Sequence, residues 1–181
     1  NAMQYLINIL ILFCFTVSWP ASALPMRGPG KHAPEIRLKV GGPELFERLR
    51  VSAVQYPIVG NRKLAEHLGE LTSRLDAALN SAHSDLVIFP ELIALDALSH
   101  RATSVAREAA LLRRLAREGT PKYITFFSNQ AKARGVAILG GSFPREVWFE
   151  GKAEIRNTAI LALSDGRIFL QDKIFLTPEE V

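Results

Sequence analysis

Two charged residues stand where apolar runs end, which is where a sheet-based fold gathers reactive groups. In residues 85–92 the run Leu86, Val87, Ile88 and Phe89 is closed by Pro90 and followed at once by Glu91. A carboxylate flanked by Phe89, Leu92 and Ile93 is partly shielded from water, a setting that suits a general base. The same glutamate also fits the first turn of an exposed helix, where acids are favoured without any chemistry. Further along, Ile168, Phe169 and Leu170 lead through Gln171 and Asp172 to Lys173. An ammonium fixed at a strand end can stabilise an oxyanion in a site that excludes water. A solvated lysine is the plain alternative there, so each residue is ambiguous when taken singly.

The elements that must position these groups are readable from periodicity. Residues 51–56 alternate and stop at Pro57, as a buried strand followed by a turn does. Leu64, Leu68, Leu71, Leu75 and Leu79 recur at helical spacing and line one face. Residues 85–89 form a second strand, residues 103–118 a helix, and Pro121 opens another helix to about residue 134, because proline suits a first helical turn. Residues 136–139 give a third strand. Beyond Pro144 the helices cease, and strands 146–149, 155–163 and 167–175 are joined by turns at Glu150-Gly151 and Ser164-Asp165-Gly166. Alternating strands and helices imply a parallel core sheet. The expected fold class is therefore α/β, a βαβαβ core with an antiparallel extension on one edge. Glu91 then lies just past the carboxyl end of a parallel strand, the usual place for ligand sites in such sheets.

Charge and composition narrow the partners. The 181 residues carry a formal net charge of +4, unevenly spread, with eight Lys or Arg against two Glu in residues 101–134. Val105, Ala109, Leu112 and Ala116 share one side at helical spacing, and Arg107, Arg113, Arg114 and Arg117 fall on the other, which describes a solvated helix face. No interleaved aromatics or glycine-rich phosphate loop accompany the arginines, so no nucleic-acid partner is expected. Cys14 is the one cysteine. Within these 181 residues an intrachain disulfide or a cysteine-based zinc site is thereby excluded, and His32, His67, His83 and His100 lack metal-ligand spacing. Neither metal nor cofactor is expected.

The front of the chain has a different composition. Asn1-Ala2 before Met3 reads as a cloning remnant. Residues 5–19 are almost wholly apolar, Pro20 breaks the run, and Ala21-Ser22-Ala23 offers the small residues a signal peptidase reads. Residues 1–23 thus read as remnant and leader, residues 24–49 as a Pro/Gly-rich arm holding Pro25, Pro29, Pro34 and Pro43, and residues 50–181 as the domain. Export to the periplasm or the medium is expected. A membrane anchor through the leader stays the alternative, because no Lys or Arg precedes the apolar run.

The ordered motifs together resemble the nitrilase superfamily of carbon–nitrogen hydrolases. Val51-Ser52-Ala53-Val54-Gln55 is similar to its first strand, residues 85–92 to its glutamate motif, and Gly140-Gly141-Ser142 to the glycine-rich end of its third strand. Asn157-Thr158-Ala159, Asp165-Gly166 and the segment from Lys173 to Glu180 are similar to its lysine motif. The resemblance covers residues 50–181 and implies the N-terminal half of an α-β-β-α sandwich, incomplete in this chain. It implies Glu91 as general base, Lys173 as stabiliser of the tetrahedral intermediate, and a further glutamate matched by Glu180, with Glu179 as the other choice. The family's nucleophilic cysteine follows the lysine by some tens of residues, so it is expected beyond Val181, and these 181 residues alone are expected to be inactive. The implied substrate is a small amide or nitrile, and a homo-oligomer is expected. An N-acyltransferase of the same superfamily and a non-catalytic binding or assembly module are the alternative readings.

The leader reading has a direct check. Expressed with its leader in a secreting host, the exported protein is expected to begin at Leu24 by mass spectrometry; an intact N-terminus in the exported protein would favour the anchor.

Overall fold

The structure, a computed structural model, describes residues 49–60, 62–98 and 105–174. The leader, the arm up to residue 48, Cys14, Glu179 and Glu180 fall outside the described residues. The elements run β1 (Val51–Ala53), α1 (Leu64–Ser81), β2 (Leu86–Ile88), a 3-10 helix (Ile93–Ala97), α2 (Val105–Arg134), β3 (Ala137–Phe149), β4 (Lys152–Ala162) and β5 (Ile168–Asp172). The five strands form one sheet in sequence order. β1, β2 and β3 pair in parallel, then β4 and β5 add antiparallel. The mixed α/β sheet expected from the sequence is present.

Side-chain alternation decides which face the helices cover. Val87, Ile138 and Ile160 share one face and pack with Leu71 and Leu75 of α1 and with Tyr123, Phe127 and Ala131 of α2. Each such leucine contributes about 1.5–3 kcal/mol by leaving water. Leu64, Leu68 and Leu79 border this core and are only partly buried. Leu86, Leu139 and Leu161, the alternate residues, point to the opposite face. Among the described residues both α-helices lie on the first face. The arginine stripe is solvated, as expected: Arg107, Arg113, Arg114 and Arg117 are exposed, and Arg114 and Arg117 pair with Glu118 and Glu146.

The first strand, expected as buried over residues 51–56, covers only Val51–Ala53 and is partly exposed, and two pairs of expected elements are each merged into one. The helices expected at 103–118 and 121–134 are one helix, Val105–Arg134, with Pro121 inside it. An interior proline costs about 3 kcal/mol by removing a hydrogen bond and crowding the preceding turn. Here Pro121 is exposed, while Ala116, Tyr123, Phe127 and Ala131 form a continuous buried stripe on both sides of it. That shared burial outweighs the local signal. Likewise, the strands expected at 136–139 and 146–149 are one strand, with a register shift between Leu139 and Ser142. The bulge lets β3 leave β2, whose pairing ends at Leu139, while it stays paired to β4 as far as Phe149. Pro144 lies past the end of β2, so its missing N–H leaves no β2 carbonyl unpaired.

A buried polar cluster ties the loop after β1 to the turn after β2. Asp96, fully buried in the 3-10 helix, accepts from Tyr56 Oη at 2.6 Å, from the backbone N–H of Val59 and of Gly60 at 2.9 Å each, and from Arg62 Nη1. His67 Nδ1 lies 3.0 Å from Tyr56 Oη and 3.3 Å from Asp96 Oδ2. Burial pushes the Asp96 carboxyl up, but the hydrogen bonds from Tyr56, Arg62, Gly60 and Val59 outweigh it and hold the group well below the usual carboxylate range. Burial lowers the pKa of His67, and its Nε2 has no hydrogen-bond partner among the described residues. The imidazole is therefore neutral at neutral pH. Isolated buried histidines are usually structural, and this one packs edge-on against Tyr56 and Tyr123.

This cluster sets a pH dependence. An unfolded histidine binds its proton near 6.5, and the folded one only at lower pH, so stability rises with pH through that window. Stability is expected to be full above about pH 7 and to fall as the pH drops below the ordinary histidine value. The Asp96 contribution is lost later, below its ordinary value of 3.8. Urea midpoints between about pH 8 and about pH 5 check the first step. A flat midpoint across that range would mean that His67 is not held neutral.

Candidate active site

Glu91 is brought to its place by backbone geometry. Pro90 and Glu91 follow β2 directly, and the chain then turns at Leu92, whose φ of 60° and ψ of 21° lie in the left-handed region. A residue with a Cβ pays roughly 1–2 kcal/mol there, so the surrounding contacts must impose the turn. They are on β3. Ser142 Oγ accepts the Leu92 N–H at 2.8 Å, and Ser142 is buried. Gly141 adopts φ +69°, and a Cβ built there would stand 2.1 Å from the Pro90 carbonyl oxygen. Only a glycine lets the Pro90-Glu91 peptide lie this close to β3. At Gly140 a Cβ would meet the Phe127 ring at 2.7 Å and Ile160 at 2.8 Å, so the glycine pair serves both faces.

The partners of Glu91 come from the antiparallel edge. Lys173 Nζ donates to Glu91 Oε1 at 3.1 Å, across 82 residues of sequence. Asn157 Nδ2 donates to the same oxygen at 2.8 Å. The side chains are mostly withdrawn from solvent, Lys173 at 11% and Glu91 at 22% exposure. The Lys173 N–H also donates to the Asn157 carbonyl at 2.8 Å, which continues the β4–β5 ladder past Asp172. Antiparallel pairing places Asn157 opposite Lys173, and both share the parity of Ala159, Leu161 and Phe169. The site therefore opens on the sheet face away from α1 and α2.

Of the residues singled out from sequence, Glu91 and Lys173 are joined in one site. Glu91 is neither a helix-start acid nor a solvated one, and Lys173 is not a surface lysine. Glu180 and Glu179 lie outside the described residues. The role of Asn157 was missed, although the signal existed: a tight turn at 164–166 folds residue 157 back beside residue 173. Ser142 belonged to a recognised motif without a role. Asp96, Tyr56 and Arg62 gave no sequence signal, since their contacts span 34 to 40 residues. No group of three His, Cys, Asp or Glu side chains among the described residues is placed to hold a metal ion.

With this geometry in place, likeness to known proteins can be stated. The chain aligns to the Saccharomyces cerevisiae protein Nit3, a member of branch 10 of the nitrilase superfamily, with a TM-score of 0.53 and 17% identity, over 74% of this chain and 48% of Nit3. The fold is that of the nitrilase superfamily. XC1258 of Xanthomonas campestris, a CN-hydrolase superfamily protein, aligns with a TM-score of 0.48 and 21% identity over 71% of this chain and 42% of its own. In sequence, the chain is 30% identical over 132 residues to the probable hydrolase YhcX of Bacillus subtilis. That alignment takes in 73% of this chain and 24% of YhcX. The chain thus spans about a quarter of the curated relative it matches and about half of the solved structures. No family model matches the sequence.

Glycines at two positions make a paired test of the backbone account. Gly141→Ala is expected to destabilise by about 2 kcal/mol or more, through a positive φ and the clash with Pro90. Gly69, exposed in α1 with nothing within 4 Å of an added Cβ, should respond oppositely. Gly69→Ala is expected to stabilise by about 0.5–1 kcal/mol. Denaturant unfolding of both variants checks this, and a neutral Gly141→Ala would contradict the close approach.

Proposed function

We propose that the protein is a carbon–nitrogen hydrolase acting on a non-peptide bond of a small amide or nitrile, through a cysteine thiolate. The observation that carries this reading is the Lys173–Glu91 contact of 3.1 Å in a partly enclosed site at the end of the parallel strands. The superfamily fold and the match to a probable hydrolase support it.

In this reading the thiol comes from the full-length protein beyond Lys173, as the resemblance implies. Glu91 takes the thiol proton, and the thiolate attacks the carbonyl carbon of an amide. Lys173 meets the oxyanion that forms, as a fixed charge needing no reorganisation. The tetrahedral intermediate collapses to a thioester as the amine leaves with the proton held by Glu91. Water then enters, giving its proton to Glu91, and the carboxylic acid departs as the thiol reforms. Asn157 keeps Glu91 aimed by holding one of its oxygens, which leaves the other for proton transfer. Glu180, the member of the motif beyond the described residues, is proposed as a further contributor. Substrate is bound without cofactor, and export through the leader is proposed for the whole protein.

The test is ammonia release from a panel of small amides and nitriles by the full-length protein, including the cysteine that follows Lys173. Glu91→Gln and Lys173→Ala are each expected to lower kcat by about a hundredfold or more, because each removes a group acting in the transition state. Cys14→Ser is expected to change nothing. Hydrolysis that survives both Glu91→Gln and Lys173→Ala would overturn the assignment, and a folded but inactive full-length protein would favour a binding module.

A further inference from the structure

Lys173 reaches Glu91 from a sheet edge that has little of its own to fix it, whereas Asn157 comes from β4, which is paired to β3 on its other side. β5 is five residues long and pairs only with β4 among the described strands. Its register decides where Lys173 stands relative to Glu91. A slip of one residue turns Lys173 to the helix-covered face, and a slip of two displaces it by about 6.6 Å along the strand. None of the apolar residues of β5 is fully buried: Ile168 and Leu170 border the core and Phe169 is half-buried on the other face, so packing alone specifies the register weakly.

The other face of the same two residue pairs carries a compact set of charged and polar contacts. Asp172 precedes Lys173, Thr158 follows Asn157, and Thr158 and Asp172 are register partners. Thr158, fully buried, donates to Asp172 Oδ1 at 2.7 Å. Arg145 of β3 donates to that same oxygen at 2.8 Å and, through Nε, to Thr158 Oγ1 at 3.2 Å. Arg156 Nη1 stands 3.6 Å from the second Asp172 oxygen. Three strands are thus joined through one carboxylate, directly behind the two side chains that hold Glu91. A charge-assisted contact of this kind is directional, and it is satisfied in one register only.

We infer that Asp172, with Arg145 and Thr158, is a positioning residue for the proposed reaction: the clamp behind the sheet fixes the β5 register and so holds Lys173 against Glu91, beside Asn157, which the β3–β4 pairing already places. This rests on the hydrolase reading for its catalytic consequence and on geometry alone for its structural one. Asp172 touches no reacting atom. It acts through Lys173.

The test uses the full-length protein with Asp172→Ala, Asp172→Asn and Thr158→Val. In folded Asp172→Ala, kcat per folded molecule is expected to fall about tenfold or more with a much smaller change in KM, since a misplacement near 1 Å can cost a hundredfold. Asp172→Asn, which keeps an acceptor for Thr158 and Arg145, is expected to recover part of the loss. Thr158→Val keeps the buried volume and removes the two bonds of the Thr158 hydroxyl while leaving Arg145 on Asp172, so it should fold and shift kcat in the same direction by less; it decides the matter should Asp172→Ala fail to fold. A second readout needs no turnover. The Lys173 side-chain Cε resonance should shift on Glu91→Gln in the parent protein, because the two groups touch, and lose that response in the Asp172→Ala background. Unchanged kcat with an unchanged Lys173 response in folded Asp172→Ala, or in Thr158→Val, would overturn the clamp. A parent protein without hydrolytic activity would remove the reading of function, while the Lys173 response would still decide the clamp.

Discussion

The structure turns on one carboxylate oxygen. Glu91 Oε1 receives both the Lys173 ammonium and the Asn157 amide, and through them the parallel half of the sheet is joined to its antiparallel edge. Such a pair is weak evidence for stability, because withdrawing two charges from water offsets much of their attraction. It has to be held by packing that is stable for other reasons. β3 supplies that support by belonging to both halves: it pairs with β2 up to Leu139, then passes the bulge and runs on beside β4. The bulge itself provides Gly141 for the approach of Pro90 and Ser142 for the Leu92 N–H. A single irregularity in one strand thus accounts for the strained turn that aims Glu91.

From the other side the same turn is anchored by Asp96. It lies five residues beyond Glu91 and draws together Tyr56, Arg62 and the backbone at Val59 and Gly60. Glu91 therefore sits between two fixed points, one on β3 and one on the loop after β1. Preorganisation of this sort is what a general base and an oxyanion stabiliser require, because a group that must first move into place loses the advantage of a fixed charge.

What could be read from the sequence was what rests on local pattern. The leucine stripe of α1, the apolar runs of β2 and β3, the hairpin turns at Glu150-Gly151 and Ser164-Asp165-Gly166, and the placing of Glu91 and Lys173 at strand ends all depend on neighbours within a few residues. Pro121 misled because its local cost is real, whereas the burial that overrides it spans Ala116 to Ala131 on both sides of the proline. Gly140-Gly141 and Pro144 suggested a strand end for the same reason. Their tolerance inside β3 depends on where β2 stops, and that lies some fifty residues earlier in the chain. Asn157 was legible in principle through hairpin register. Asp96 was not, since nothing in a lone aspartate within an apolar stretch announces four donors converging on it from another loop.

The central claim is that Glu91 and Lys173 serve one thiol in one site, and intact mass measurement of the acid-quenched full-length protein with a slowly turned-over amide tests it most directly. The account predicts a single acyl adduct on a cysteine C-terminal to Lys173, formed by the parent protein and lost in Glu91→Gln. An adduct on any other side chain, or hydrolysis by a protein in which that cysteine has been replaced by alanine, would contradict it.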